Sequence, residues 1–164
     1  MKNNKKGFTL IELLVVIAII GLLSTLAVVA LNNARAKARD ARRLSDIKQI
    51  QTALELYYSE IGQYPAAPAL NGCFPSSPAN EIAGCCLSGG GFAQTCTAGT
   101  AYMSEVPANP TPLDGCVGVM EEYTYTQDGA DGASYTLQYC IGQDNGNITG
   151  GIANSGTPAG IVNN

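Results

Sequence analysis

The stretch KKGFTLIELLVVIAIIGLLSTLAVVAL, residues 5–31, decides how this chain is read. After Gly7 come 24 residues, Phe8 to Leu31, with one formal charge, Glu12, and no proline. As a helix this run reaches about 36 Å, enough to cross a hydrocarbon layer about 30 Å thick. A secretory signal places a basic region first, then about 7–15 apolar residues, then a small-residue cleavage site. Here the apolar run is too long for that, and the small residue at a charge boundary, Gly7, precedes it. Residues 1–7, MKNNKKG, read as a short basic leader.

Helical periodicity continues beyond the run. Ala34, Ala38 and Ala41 lead into Leu44, Ile47, Gln51, Leu54, Tyr58 and Ile61, which at steps of three and four form one stripe. Arg35, Arg39, Arg42, Asp46 and Lys48 fall on the polar face, where Arg42 and Asp46 make an i,i+4 pair. Gly62 suits the residue just past a helix end, with Pro65 beyond. A helix from Phe8 to Ile61 is expected, roughly 80 Å long.

Charge and cysteine are segregated along the chain. All nine basic residues lie at or before Lys48, while residues 49–164 carry ten acids and no base. That surface repels nucleic acid. There is no histidine, so the commonest general base and metal ligand is missing, and no nucleophile–base constellation stands out. An enzyme is not expected. All six cysteines follow residue 72: Cys73, Cys85, Cys86, Cys96, Cys116 and Cys140. An even count in a Gly- and Pro-rich module points to disulfides and an oxidising compartment. Six cysteines allow 15 connectivities. Adjacent Cys85 and Cys86 are expected to bond elsewhere rather than to each other.

Residues 65–115 show no sustained period and read as a long loop region pinned by disulfides. Glu122 to Thr126 and Ser134 to Ile141 alternate at period two, with Asp128-Gly129-Ala130-Asp131-Gly132 between them as a turn. A β-hairpin is expected there. Tyr123 and Tyr125 on one strand, with Tyr135, Leu137, Tyr139 and Ile141 on the other, are expected to cover the helix stripe. Cys116 and Cys140 flank the hairpin and are the favoured pair. Residues 142–164 read as irregular.

The segment Lys5-Lys6-Gly7-Phe8-Thr9-Leu10-Ile11-Glu12 resembles the processing site of type IV prepilins and of the related pseudopilins of type II secretion systems. The resemblance is specific across 5–31 and continues more weakly to Tyr64-Pro65. It implies cleavage by a prepilin peptidase between Gly7 and Phe8, N-methylation of Phe8, and polymerisation through the N-terminal helix. It implies an inner-membrane precursor, assembly machinery in that membrane, and a mature extracellular pilus or periplasmic pseudopilus. One departure is plain. Many members carry a proline eight residues after the glycine corresponding to Gly21, and Val29 stands there. Major pseudopilins also hold calcium near the equivalent of the C-terminal loops, which marks Asp128, Asp131, Asp144, Asn145 and Asn147 as weak oxygen-ligand candidates. Asp and Asn beside Gly are also simple turn formers.

Glu12 can be argued without that resemblance. A carboxylate inside a bilayer costs about 2.5–3.5 kcal/mol on insertion scales, so something must compensate it. Cleavage after Gly7 creates an ammonium at Phe8, which Glu12 can meet within the chain or on the next subunit; the resemblance favours the neighbour. Orientation carries a conflict. Five basic residues (Arg35, Lys37, Arg39, Arg42, Arg43) follow the run closely, which by the positive-inside rule places the C-terminus in the cytoplasm. Cysteine usage and the leader argue for an exported head instead.

The expected fold is α+β: a long N-terminal helix packed on a small antiparallel β head with long disulfide-stapled loops. Its apolar half is transmembrane or fibre core, and its second half is amphipathic. The expected divisions are the leader 1–7, the apolar helix 8–31, its amphipathic continuation 32–61 and the head 62–164. The expected function is a fibre subunit that binds copies of itself, with membrane lipid as its environment before assembly. The alternatives are a type II secretion pseudopilin, a membrane-anchored binding protein that never polymerises, and a secreted binding protein cut at Ala34-Arg35-Ala36.

Overall fold

A computed structural model describes residues 7–68, 73, 81–96, 99–116, 118, 121–129, 131–146 and 148–162. The chain divides into two compact units, residues 1–35 and residues 36–164. Helix α1 (Leu10–Ile61) is unbroken and contributes to both. No proline interrupts it, so no backbone donor is missing, and Gly21 and Val29 both lie inside it. Gly62 closes it with a positive φ of 82°, and its N–H donates to the Tyr58 carbonyl at 2.8 Å.

The second unit holds α1 from Ala36 onward together with two antiparallel sheets. Strands β1 (Cys86–Ser88), β2 (Gly91–Ala93) and β3 (Ala101–Met103) form a three-stranded sheet in the order β2-β1-β3. Strands β4 (Thr124–Asp128), β5 (Ser134–Cys140), β6 (Ala153–Thr157) and β7 (Gly160–Val162) form a four-stranded sheet in chain order. The expected hairpin is β4–β5, with Thr124 opposite Gln138 and Asp128 opposite Ser134. Its first strand lies two residues later than the alternation suggested. Asp128 joins the ladder because its carboxylate accepts the Thr136 hydroxyl at 2.6 Å.

Two expectations about irregular regions are corrected. The tail is not irregular: β6 and β7 extend the sheet, with Cys140 opposite Ala153 and Thr157 opposite Gly160. Small and polar residues such as Asn154, Ser155 and Gly156 carry no strand pattern of their own, and pairing with β5 imposes it. The loop region likewise contains three short strands. Cys73 bonds to Cys85 and Cys86 to Cys96, so the neighbouring cysteines point to opposite sides of the chain, as strand geometry requires. Cys116 bonds to Cys140.

The core lies between α1 and these strands. Ile47, Ile50, Leu54 and Tyr57 meet Tyr123, Tyr125, Tyr135, Leu137, Tyr139 and Ile141. The hairpin tyrosines therefore do cover the helix. Two find polar partners for their hydroxyls: Tyr125 donates to the Pro65 carbonyl at 2.7 Å and Tyr123 to the Asp46 carboxylate at 3.1 Å.

The helix stripe is rotated from the one expected. Ala34, Ala38 and Ala41 are exposed, and the buried line runs Ala36, Asp40, Arg43, Ile47, Ile50, Leu54, Tyr57. Asp46, placed on the polar face by sequence, is buried and serves Tyr123. Arg43 is fully buried. Its five N–H bonds go to Asn109 Oδ1 (2.8 Å), Asp40 Oδ1 (2.6 Å), Asp114 Oδ2 (3.3 Å) and the carbonyls of Pro110 (2.8 Å) and Pro112 (3.1 Å). These match the full donor set of a guanidinium. Asp40 also accepts the N–H groups of Gly142 and Gln143 at 2.8 and 3.0 Å, and Arg39 forks onto Asp114 at 2.6 and 2.8 Å.

Removing the cation would strand Asp40 and four further acceptors. Breaking a buried pair from one side costs about 3–5 kcal/mol. Arg43→Met is therefore expected to lower the urea midpoint of the detergent-solubilised chain by about 1 M or more, while exposed Arg42→Met leaves it nearly unchanged.

Two carboxylates give stability opposite dependences on pH. The hydrogen bonds from Arg39, with help from Arg43, hold Asp114 below its ordinary 3.8. Its contribution is present above the unfolded value and is lost as pH falls through the folded one. Burial raises Asp46 above 3.8, against the Tyr123 hydrogen bond. Here the native state holds the proton longer, so stability falls as pH rises through the window above 3.8. The melting-temperature difference between Asp46→Asn and the parent should be small near about pH 3 and favour the variant by about pH 7.

Candidate functional site

The first turn of α1 is closed by its own side chains. Thr9 precedes the helix, and its N–H and hydroxyl donate to Glu12 Oε2 at 2.8 and 2.6 Å. The Glu12 N–H donates back to Thr9 Oγ1 at 3.4 Å. This is a reciprocal capping box: the residue before the helix and the third residue within it each satisfy an orphan donor of the other. The pattern Thr-x-x-Glu ahead of an apolar run is its sequence signature, and the sequence reading passed over it. Glu12 thus has a fixed rotamer at the helix start, with both side-chain bonds landing on one oxygen.

Gly7 and Phe8 are exposed, and a Cβ built on Gly7 would meet nothing within 4 Å. Packing among the described residues places no demand for glycine at position 7. From Phe8 to Leu31 every large apolar side chain is 47–87% exposed. At roughly 1.5–3 kcal/mol per side chain, leaving that surface in water forgoes a few tens of kcal/mol. The few polar side chains of the run are bonded locally, with one carboxylate oxygen of Glu12 left over. Thr9 and Glu12 serve each other, Ser24 donates to the Ile20 carbonyl at 2.7 Å, and Thr25 donates to that of Leu22 at 2.8 Å. The segment is ready for an apolar surrounding, and α1 is long and apolar enough to cross a membrane.

The other residues singled out by sequence are not brought to one point. Asp128 is committed to Thr136, Asp131 accepts the Ala133 N–H at 3.3 Å, and Asp144 accepts that of Gly150 at 2.8 Å. Asn145 pairs by backbone with Ile148, and Asn147 lies outside the described residues. Among the described residues no group of three or more acidic, His or Cys side chains is placed to hold a metal ion. Of the five cations after the apolar run, Arg39 and Arg43 are paired with Asp114 and Asp40. They belong to the core of the second unit rather than to a solvated or lipid-facing side. Lys5 and Lys6 lie outside the described residues.

The capping box can be tested apart from any function. Thr9→Ala removes both side-chain bonds, and a lost N-cap costs about 1 kcal/mol. Amide exchange at Glu12 and Leu13 in micelles should quicken about fivefold, with Thr9→Ser restoring protection.

Residues 2–28 match the family profile of the prokaryotic N-terminal methylation motif. The chain is 46% identical over 55 residues to a type IV major fimbrial protein FimA of Dichelobacter nodosus, covering 34% of this chain and 35% of that protein. It is 39% identical over 64 residues to the type II secretion system core protein G of Aeromonas hydrophila, covering 39% of this chain and 45% of that protein. It is 33% identical over 78 residues to the corresponding protein of Dickeya chrysanthemi, covering 48% and 51%. The chain thus matches only about a third to a half of the length of these relatives. No solved structure matches it. In its N-terminal methylation motif and the helix that follows, the chain is similar to type IV pilins and type II secretion pseudopilins.

Proposed function

We propose that this chain is the structural subunit of a type IV pilus-like filament, or of a type II secretion pseudopilus. In this reading it is cut between Gly7 and Phe8, methylated at Phe8, and polymerised through residues 8–31. The observation that carries it is the exposed apolar run with a single held carboxylate. Before assembly, membrane lipid covers that run; afterwards copies of the same helix do. Moving between two equally apolar surroundings costs little, so the membrane serves as a reservoir of subunits. A repeated head-to-tail contact generates an open helical fibre.

Glu12 supplies the register. Its capping bonds take one carboxylate oxygen and leave the other to accept the Phe8 ammonium of an adjacent subunit. An ion pair inside an apolar bundle is unforgiving of misalignment, so it fixes how far one helix slides past the next. Gly7 fits the same reading, because a small residue that no packing among the described residues demands suits recognition by a peptidase. The partners implied are other copies, a prepilin peptidase and assembly machinery in the inner membrane. The mature fibre is extracellular, or periplasmic as a pseudopilus.

Intact mass and N-terminal sequencing of the mature protein should show a start at methylated Phe8. A start at Lys37 would mean a secreted protein, and an uncut amino terminus would end the reading. Glu12→Ala should leave processing intact and abolish filaments in a sheared surface fraction viewed by electron microscopy. Normal fibres from that variant would remove the register role. Absence of fibres from the parent under all conditions would mark a non-polymerising anchor.

A further inference from the structure

The cations left after internal pairing are few and are confined to the helix. Within residues 36–164 Arg43 is buried and Arg39 is tied to Asp114, which leaves Lys37, Arg42 and Lys48 exposed. Beyond Lys48 the chain has no base, and Glu105, Glu121, Asp131 and Asp144 are exposed acids. At about 100° per residue, Lys37 and Lys48 lie about 20° apart on α1, three turns from each other. Arg42 points about 140° away from Lys37.

The lysine-bearing face borders the sheet. Leu44, Ile148 and Ile161 are half-buried, and with Lys48 they line a shallow depression of about 460 Å³. A second depression of about 350 Å³ lies on the other side of Lys48, between Gln51 and Thr157. Strand β7 ends the sheet order, with no further strand paired to it among the described residues. The surface therefore has an apolar centre, an open strand edge and Lys48 between the two depressions, with Glu55 lining the second and Lys37 further along the same helix face. That is the anatomy of a docking patch rather than of a solvated helix side.

We propose that the α1 face carrying Lys37, Leu44 and Lys48, with the β7 edge beside it, docks the acidic surface of a second copy of this chain. The proposal rests on the filament reading above and names the head contact that reading lacks. Copies brought together through their apolar helices bring together surfaces rich in carboxylates. Like charges at an interface are costly, and a cation-bearing patch facing a neighbour's acids turns that repulsion into attraction. The chain's own charge segregation makes another copy the complementary partner. An anionic lipid surface has the same sign, and the vesicle arm of the test separates it from a second copy.

The test uses the full chain in producing cells. Lys48→Glu should reduce sedimentable sheared filaments roughly tenfold, Lys48→Arg should restore them, and Arg42→Glu, on another side of the helix, should leave them unchanged. Parent filaments should shed subunits as salt is raised from about 50 mM to about 500 mM. Mass of the mature subunit with its three disulfides intact shows that each variant folds and is processed. Equal filament yields from Lys48→Glu and the parent overturn the docking face while leaving the filament reading in place. So does a Lys48→Glu variant that loses only binding to vesicles containing phosphatidylglycerol. No filaments from the parent overturns both.

Discussion

A helix that is apolar on every side cannot remain in water. From Leu13 to Leu31 the backbone is satisfied within the helix, Thr9 and Glu12 cap its first turn, and Ser24 and Thr25 close their hydroxyls on carbonyls of the preceding turn. The second carboxylate oxygen of Glu12 is what remains to be matched, and among the described residues of 1–35 nothing covers the apolar surface. The chain therefore depends on an external apolar surrounding, and everything else in the proposed function follows from which surrounding it finds. Lipid and sibling helices are energetically similar, so a small bias decides between them. In the proposed reading Glu12 supplies that bias, because a neighbour's ammonium suits it and hydrocarbon does not.

The second unit solves a different problem, that of fastening a modest sheet to a helix. Arg43 is the central fastening. Its guanidinium grips residues 109–114, and Asp40 beside it grips the backbone at 142–143. The Cys116–Cys140 bond joins the same two segments a few residues away. They approach closely enough that a Cβ on Gly115 would stand 3.0 Å from the Gly142 carbonyl oxygen, which explains glycine at 115. A covalent clamp and a buried ionic one thus hold a single junction. With a core of limited size, such junctions determine whether the head stays folded.

Features with strong local signatures were legible in the sequence. The apolar run, the glycine after the helix, the tyrosine-rich hairpin and the methylation motif all announce themselves. The rest was hidden where context overrides type. No local pattern paired Arg43 with Asp40, and Asp46 read as polar-face until Tyr123 claimed it. The same substitution of ionic for apolar contacts rotated the buried stripe away from Ala34, Ala38 and Ala41. Strands β6 and β7 borrow their order from β5, so their Gly- and Asn-rich segments gave no alternation to find. At the N-terminus, Glu12 was noticed for its charge, but its bond to Thr9 was overlooked although Thr-x-x-Glu was in plain view.

The central claim concerns what finally covers residues 8–31. A photoreactive amino acid installed in place of Ile17 and activated in the sheared surface fraction reports that contact directly. The account predicts a ladder of covalently joined subunits. Adducts with lipid alone, or unlinked monomer, would contradict it.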